Sequence, residues 1–279
     1  SEDSVSELKQ EFLQRSITAI FISAIVITLI LYSSNLILNI FISVLSLALF
    51  LEWMSVSKSS NGKRLIFLIL FIILISSNHY FGGLFEPISF ITMLGITVWI
   101  VVAYQIFLKE GRLSSNFAFN NLWVGLLLIT TFCLVCFQLV TESRIFLLAV
   151  IFNTAVFDIG AYIIGKNFGR NSFLPKLSPN KTIEGLIGGL ISSFLFITFA
   201  YLFLKGVSFI LALAMILGTP FALCGDYFFS FLKRKADVKD TGSILPGHGG
   251  LLDRVDSHLA AIPMTLFFSL LLYSAGSYF

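Results

Sequence analysis

Charge is the first thing this chain has little of. Asp, Glu, Lys and Arg make up 12% of its 279 residues, whereas a soluble domain carries about 25% because its surface must face water. That shortage excludes an ordinary water-soluble globule. Cysteine is scarce too: Cys133, Cys136 and Cys224 all lie inside apolar runs. The first two form a CxxC, but no His or carboxylate lies near them in sequence, so they read as inert apolar thiols rather than a metal or redox pair. No basic tract supports nucleic-acid binding, and no long-period repeat or low-complexity stretch divides the chain. The apolar runs are continuous rather than alternating, which excludes an antiparallel-strand barrel.

What is present in excess is hydrocarbon. Hydrophobic residues make up 57%, Phe alone occurs 31 times, and the mean hydropathy is +0.95. Many runs reach the roughly 17–25 residues that cross a bilayer as helix. The expected fold is therefore all-α, a polytopic integral membrane protein with about nine transmembrane helices. They are expected near 16–33, 35–54, 64–81, 86–108, 121–140, 144–165, 184–204, 208–232 and 257–275. Only Ser33, Ser34 and Asn35 part the first two, as in a tight helical hairpin. The first run lacks a small-residue cleavage pattern and reads as a span, not a signal peptide. Residues 1–15 form an N-terminal cytoplasmic segment. In it Val5, Leu8 and Phe12 have the spacing of an interfacial helix, with a polar leader as the equal alternative. Residues 16–279 read as one membrane domain, its catalytic region in 153–258.

Lys and Arg set the orientation. With the N-terminus cytoplasmic and the C-terminus outside, 16 of the 18 basic residues face the cytoplasm, leaving Arg144 and Lys205 outside.

Two cytoplasmic segments differ from ordinary connectors. From Asp158 to Gly189 the chain reads DIGAYIIGKNFGRNSFLPKLSPNKTIEGLIGG. Asp158 lies within an apolar run, where an ionisable group costs about 2.5–3.5 kcal/mol on insertion scales and by default has a polar partner and a function. A purely structural ion pair is the alternative. Ser178, Pro179, Asn180, Lys181 and Thr182 are expected to form a polar turn before the seventh helix. Such a turn offers N–H groups, a hydroxyl and a lysine to an anion. The Gly185/Gly189 spacing suggests helix packing. In the second segment, Asp226 falls within the eighth span, with Ser230 and Lys233 on the same helical face. Lys233, Arg234 and Lys239 bring positive charge to the membrane edge. Pro246, Gly247, His248, Gly249 and Gly250 force a loop, and Asp253 and Asp256 share a face of the helix leading into the last span.

Asp226, Asp253 and Asp256, with Asp158 beside them, thus sit near one depth. Isolated acids would be costly there, and a divalent cation would compensate them. Oxygen donors without a Cys or His cluster point to Mg2+. Residues alone lead to a cytoplasm-facing, membrane-embedded site for a metal and a phosphorylated substrate.

From Ser230 through Lys233-Arg234, Lys239-Asp240, Pro246 and His248-Gly249-Gly250 to Asp253-Arg254 and Asp256, the elements of one pattern occur in order across 27 positions. This resembles the phosphatidate cytidylyltransferases (CDP-diacylglycerol synthases), as do the DxGAYxxGK and LSPNKTxEGxxGG stretches. The N-terminal half matches only in hydrophobic character. The resemblance implies that CTP and phosphatidate give CDP-diacylglycerol and pyrophosphate. It implies that Asp226 and Asp253, helped by Asp256, hold one or two Mg2+ ions, a monovalent ion being left open. Lys233, Arg234, Lys239 and Arg254 would neutralise phosphate, with Asp240 and His248 in the same pattern. His248 is open as an acid, a phosphate donor or a structural residue. Substrate contacts are implied for Asp158, Tyr162, Lys166, Ser178, Pro179, Asn180, Lys181, Thr182, Glu184, Ser230, Gly249 and Gly250. A homodimer in the cytoplasmic membrane follows from the same resemblance. Where the family often has a Glu before its serine, this chain has Phe229, which leaves Asp226 as the safer ligand. The rival readings are a related CTP-dependent lipid enzyme, such as a polyprenol kinase or an archaeal-type CDP-lipid synthase, and a transporter. Against the transporter, the polar positions cluster in the C-terminal half with no matching pair of broken helices.

Overall fold

Serine and threonine mark where several helices begin. In a computed structural model, which describes residues 23–81, 90–109, 112–114, 116–175, 178–242 and 249–276, the side-chain oxygens of Ser34, Ser143, Thr182 and Ser208 each accept a bond from a backbone N–H three residues on. Each supplies a partner that the first turn of a helix lacks. The helices are α1 (Ser23–Tyr32), α2 (Asn35–Val56), α3 (Asn61–Phe81), α4 (Phe90–Leu108), α5 (Leu122–Glu142), α6 (Arg144–Phe168), α7 (Ile183–Phe203), α8 (Phe209–Lys235) and α9 (Leu252–Gly276). Seven of them, α2 and α4 to α9, are long and apolar enough to cross a membrane, and α1 is a shorter apolar helix. The chain is a multi-pass membrane protein. Residues 4–15, where an interfacial helix was an open expectation, lie outside the described residues, as does His248.

Large apolar side chains such as Leu65, Ile69 and Ile73 on α3 and Phe194, Leu195 and Leu202 on α7 are exposed. That is the surface a hydrocarbon solvent covers rather than water. Inside, α5 forms the buried centre. Trp53 of α2 lies so close to Gly125 of α5 that a Cβ there would stand 2.6 Å from the indole. The indole N–H donates to the Phe119 carbonyl oxygen at 3.0 Å, and Phe229 of α8 meets the same ring edge-on. Phe229 is fully buried, so the position where a family glutamate was in question belongs to this aromatic seam.

Arg144, one of two basic residues expected on the outer side, donates to the carbonyl oxygens of Ile30 (3.2 Å) and Ser33 (2.6 Å) and to the Asn35 side chain. It satisfies carbonyls at the end of α1 that no helical N–H can reach. Deeper in the bundle, Asn153 of α6 donates to Thr219 of α8 at 2.9 Å, and Ser193 of α7 donates to Asn153 at 2.7 Å. This buried knot ties together three of the helices that carry polar chemistry.

Candidate active site

Glycine brings α6 and α7 into backbone contact. A Cβ at Gly185 would lie 2.8 Å from the Ala161 carbonyl oxygen and 3.1 Å from the Gly165 Cα, and one at Gly189 would lie 2.9 Å from the Phe157 ring. The Gly185/Gly189 spacing is therefore a packing seam. Between the two helices the chain turns back as the one pair of strands among the described residues, β1 (Ser172–Leu174) and β2 (Ser178–Thr182), antiparallel, with Ser172 opposite Thr182 and Leu174 opposite Ser178.

The expected polar turn at Ser178–Thr182 is thus an extended strand. Pairing with Ser172–Leu174 satisfies backbone groups that a free turn would leave to water. Glu184 braces the hairpin from the first turn of α7, accepting from the backbone of Arg170 (3.0 Å) and Asn171 (3.2 Å) and from the Asn171 amide (2.8 Å). Ile183 N–H donates to the Asn171 carbonyl oxygen and Gly185 N–H to Thr182 Oγ1. These N–H groups at the start of α7 are therefore already bonded, and the hairpin presents side chains to a cavity.

That cavity, of about 650 Å3, is walled by α6, the hairpin, the start of α7, α8 and α9. Asp158, Tyr162 and Lys166 come from α6, Ser178, Asn180, Lys181 and Thr182 from β2, Asp226 and Tyr227 from α8, and Asp253, Asp256 and Ser257 from α9. Acids widely separated in sequence do share one space. Gly225 makes this possible for α8 and α9: a Cβ there would lie 3.1 Å from the Ser257 Cα and collide with the Asp256 carbonyl. The adjoining Asp226 is thereby set beside Asp256. Ser257 donates its hydroxyl to Asp158 at 3.3 Å and its N–H to Asp256 at 2.8 Å, linking α9 to α6. The Lys181 ammonium pairs with Asp226 and lies 4.4 Å from the centre of the Tyr227 ring.

Asp253 is held differently. Oδ1 accepts from Lys233 at 2.6 Å, and Oδ2 accepts from the backbone N–H of Thr241 at 2.9 Å and of Gly250 at 3.1 Å. Lys233 therefore reaches the cavity wall through Asp253. Arg234, Lys239, Asp240, Arg254, Ser230, Gly249 and Gly250 do not line the cavity. Arg234, Lys239, Asp240 and Arg254 are exposed, and Gly249 adopts a φ of +82°, a left-handed conformation suited to glycine.

No group of three or more His, Cys, Asp and Glu is close enough, among the described residues, to form a ready-made metal centre. The donor chemistry nevertheless fits a hard cation. Asp158, Asp226 and Asp256 act electrostatically on one another across the cavity, with Lys181 as a cation in their midst, and all their ligating atoms are oxygens. A cation drawing on Asp253 as well would share Oδ1 with the Lys233 ammonium or displace it. The three cysteines are free and buried.

Sequence reasoning missed Glu52. This α2 residue is buried and accepts from the Thr241 hydroxyl at 2.5 Å and from the N–H groups of Leu251 (2.7 Å) and Leu252 (3.2 Å). A signal was there, since an acid inside an apolar run is by default partnered. Ser257 and Tyr227 are further cavity residues that no motif had singled out.

A family model described as the cytidylyltransferase family matches residues 13–272 of this chain. A phosphatidate cytidylyltransferase of Bacillus subtilis (strain 168) is 34% identical over 220 residues, covering 74% of this chain and 77% of its own length. One from Staphylococcus aureus (strain COL) is 33% identical over 256 residues, covering 90% of this chain and 96% of its own.

Proposed function

The chain belongs to the cytidylyltransferase family, and from that premise we propose that it transfers the cytidylyl group of CTP to phosphatidate, giving CDP-diacylglycerol and pyrophosphate. The observation that carries the reading is the single cavity in which acids of α6, α8 and α9 meet Lys166 and Lys181. Acids for a cation and amines for phosphate are what a polyphosphate substrate requires. Tyr162 lines the same cavity while standing 66% exposed beside exposed Ile159 and Ile163. The site thus adjoins lipid-facing surface, as a lipid substrate demands.

In the reaction a phosphate oxygen of phosphatidate attacks the α-phosphorus of CTP. The new P–O bond forms as the bond to the β-phosphate oxygen breaks and pyrophosphate leaves, so no protein nucleophile is needed. Lys166 and Lys181 neutralise the phosphate oxygens, and Ser178, Asn180 and Thr182 donate hydrogen bonds from the hairpin. Ser257 fixes Asp158, Lys233 with the Thr241 and Gly250 amides fixes Asp253, and Arg234, Lys239 and Arg254 raise the positive potential at the membrane edge. Asp226 and Asp256, with Asp158 close by, would hold Mg2+, while Asp253, which the family resemblance also implied as a ligand, stands at the wall engaged by Lys233. When bound, the ion supplies charge stabilisation to the triphosphate. The Lys and Arg asymmetry supports a cytoplasmic N-terminus and a site open to the cytoplasm, hence residence in the cytoplasmic membrane. A homodimer completes the proposal.

Purified protein in lipid nanodiscs, given labelled CTP with phosphatidate, a polyprenol or an archaeal-type ether lipid phosphate in parallel, tests the assignment. CDP-diacylglycerol from phosphatidate is the expected product. Label transferred only to another acceptor would overturn it.

A further inference from the structure

The geometry points to Glu52 as a positioning residue that sets Thr241 and the first turn of α9, and through them the carboxylate of Asp253. The catalytic consequence rests on the cytidylyl-transfer reading; the geometric one does not.

Glu52 lies one turn before the end of α2 and is 3% exposed. A buried carboxylate without donors is strongly unfavourable, and this one has three. Its Oε2 accepts from the backbone N–H groups of Leu251 and Leu252, 199 and 200 residues away in sequence, and its Oε1 accepts from the Thr241 hydroxyl. Leu252 opens α9, so Glu52 caps that helix from another span, placing negative charge at its positive end.

The chain is shaped around this carboxylate. A Cβ at Gly242 would lie 2.9 Å from Glu52 Oε1, and one at Gly250 would collide with the same atom. Neither position accepts a side chain while Glu52 stays where it is. From there one hydrogen bond reaches the cavity wall. The Thr241 N–H donates to Asp253 Oδ2, and Asp253 Oδ1 holds Lys233. Asp253 follows the capped Leu252 directly, so its position depends on Glu52 from two directions. An inert buried acid would need neither two glycines opposite it nor a helix start aimed at it.

The test uses the full chain in nanodiscs, with Glu52→Gln as the main variant, because it keeps the size of the side chain and one carbonyl acceptor, and Glu52→Ala beside it. Three quantities are read: deuterium uptake of the peptide carrying Leu251 and Leu252, the melting temperature, and kcat and KM for CTP. We expect uptake at that peptide to rise about tenfold or more in both variants, with distant peptides unchanged. In Glu52→Gln we expect kcat to fall about tenfold or more while KM for CTP moves less than about threefold, the melting temperature falling by only a few degrees, about 4 °C. Unchanged uptake in both variants refutes the positioning role whatever the activity. Raised uptake with wild-type kcat refutes its catalytic consequence. A kcat loss fully recovered by assaying further below the melting temperature reduces Glu52 to a stabilising residue and overturns the proposal. If wild-type protein makes no CDP-diacylglycerol while uptake still responds to Glu52, the functional reading fails and the positioning role stands.

Discussion

At one side of the cavity Asp253 has both carboxylate oxygens engaged by Lys233, Thr241 and Gly250. At the other, Asp158, Asp226 and Asp256 face each other with Lys181 on Asp226 and Ser257 on Asp158. The first arrangement is complete in protein alone: one ammonium and two amides compensate one charge. The second places three acids against one paired lysine, Lys181, with Lys166 also on the cavity wall, at the edge of a low-dielectric region where uncompensated charge is costly. The contrast divides the labour. We propose that Asp253 belongs to the scaffold that fixes the wall, while the other three form the part whose charge balance is completed by what binds.

The sharpest way to break this comparison is to neutralise acids on both sides, one at a time. Asp256→Asn and Asp226→Asn should each lower kcat by about 10^3-fold, with more Mg2+ needed for half-maximal rate. Asp253→Asn should lower kcat while leaving that Mg2+ requirement unchanged. Steady-state assays across a Mg2+ series distinguish the two patterns. Equal shifts in Mg2+ requirement for all three would erase the distinction.

Lys181→Met removes the cation now on Asp226 and a phosphate partner together. We expect about 10^2-fold loss in kcat/KM for CTP, with Mn2+ binding to the nucleotide-free protein retained or tightened. Weaker Mn2+ binding would mean that Lys181 orders the acids rather than standing among them. Gly225→Ala should cost about 2 kcal/mol of stability, because the α8–α9 contact beside Asp256 has no room for a methyl. Thermal melting in nanodiscs measures it, and an unchanged midpoint would show that the helices do not touch there. The smallest effect is expected for Thr182→Ala, which removes the cap of α7 for about 1 kcal/mol and one hydroxyl contact to substrate, and leaves the acids in place. It should lower the melting midpoint and spare the Mg2+ requirement.

Much of the helical frame, and the presence of acids within it, was legible in the chain, for identifiable reasons. Apolar runs long enough to span a bilayer announce helices directly, and α2 and α4 to α9 lie where those runs fall. Asp158 and Asp226 stood out because an acid inside such a run is conspicuous, and the Gly185/Gly189 spacing read correctly as packing. The hairpin was not legible. Ser178–Thr182 has the composition of a turn, and only its partner Ser172–Leu174 makes it a strand. Nor was the state of Asp253, since its ties to Thr241 and Lys233 depend on the tertiary path between α8 and α9. Glu52 stands in the N-terminal half, far from the motif-rich segments, although the same argument from an acid within an apolar run applies to it. Its partners lie about 190 to 200 positions away and could be found only by folding the chain.

Mn2+ binding to purified protein, followed by electron paramagnetic resonance in nanodiscs without nucleotide, tests the central claim most directly. Acids of α6, α8 and α9 converging on one cation predict saturable binding to the wild type, weakened about tenfold or more in Asp226→Asn. Identical isotherms for the wild type and for an Asp226→Asn/Asp256→Asn double variant that still folds would contradict it.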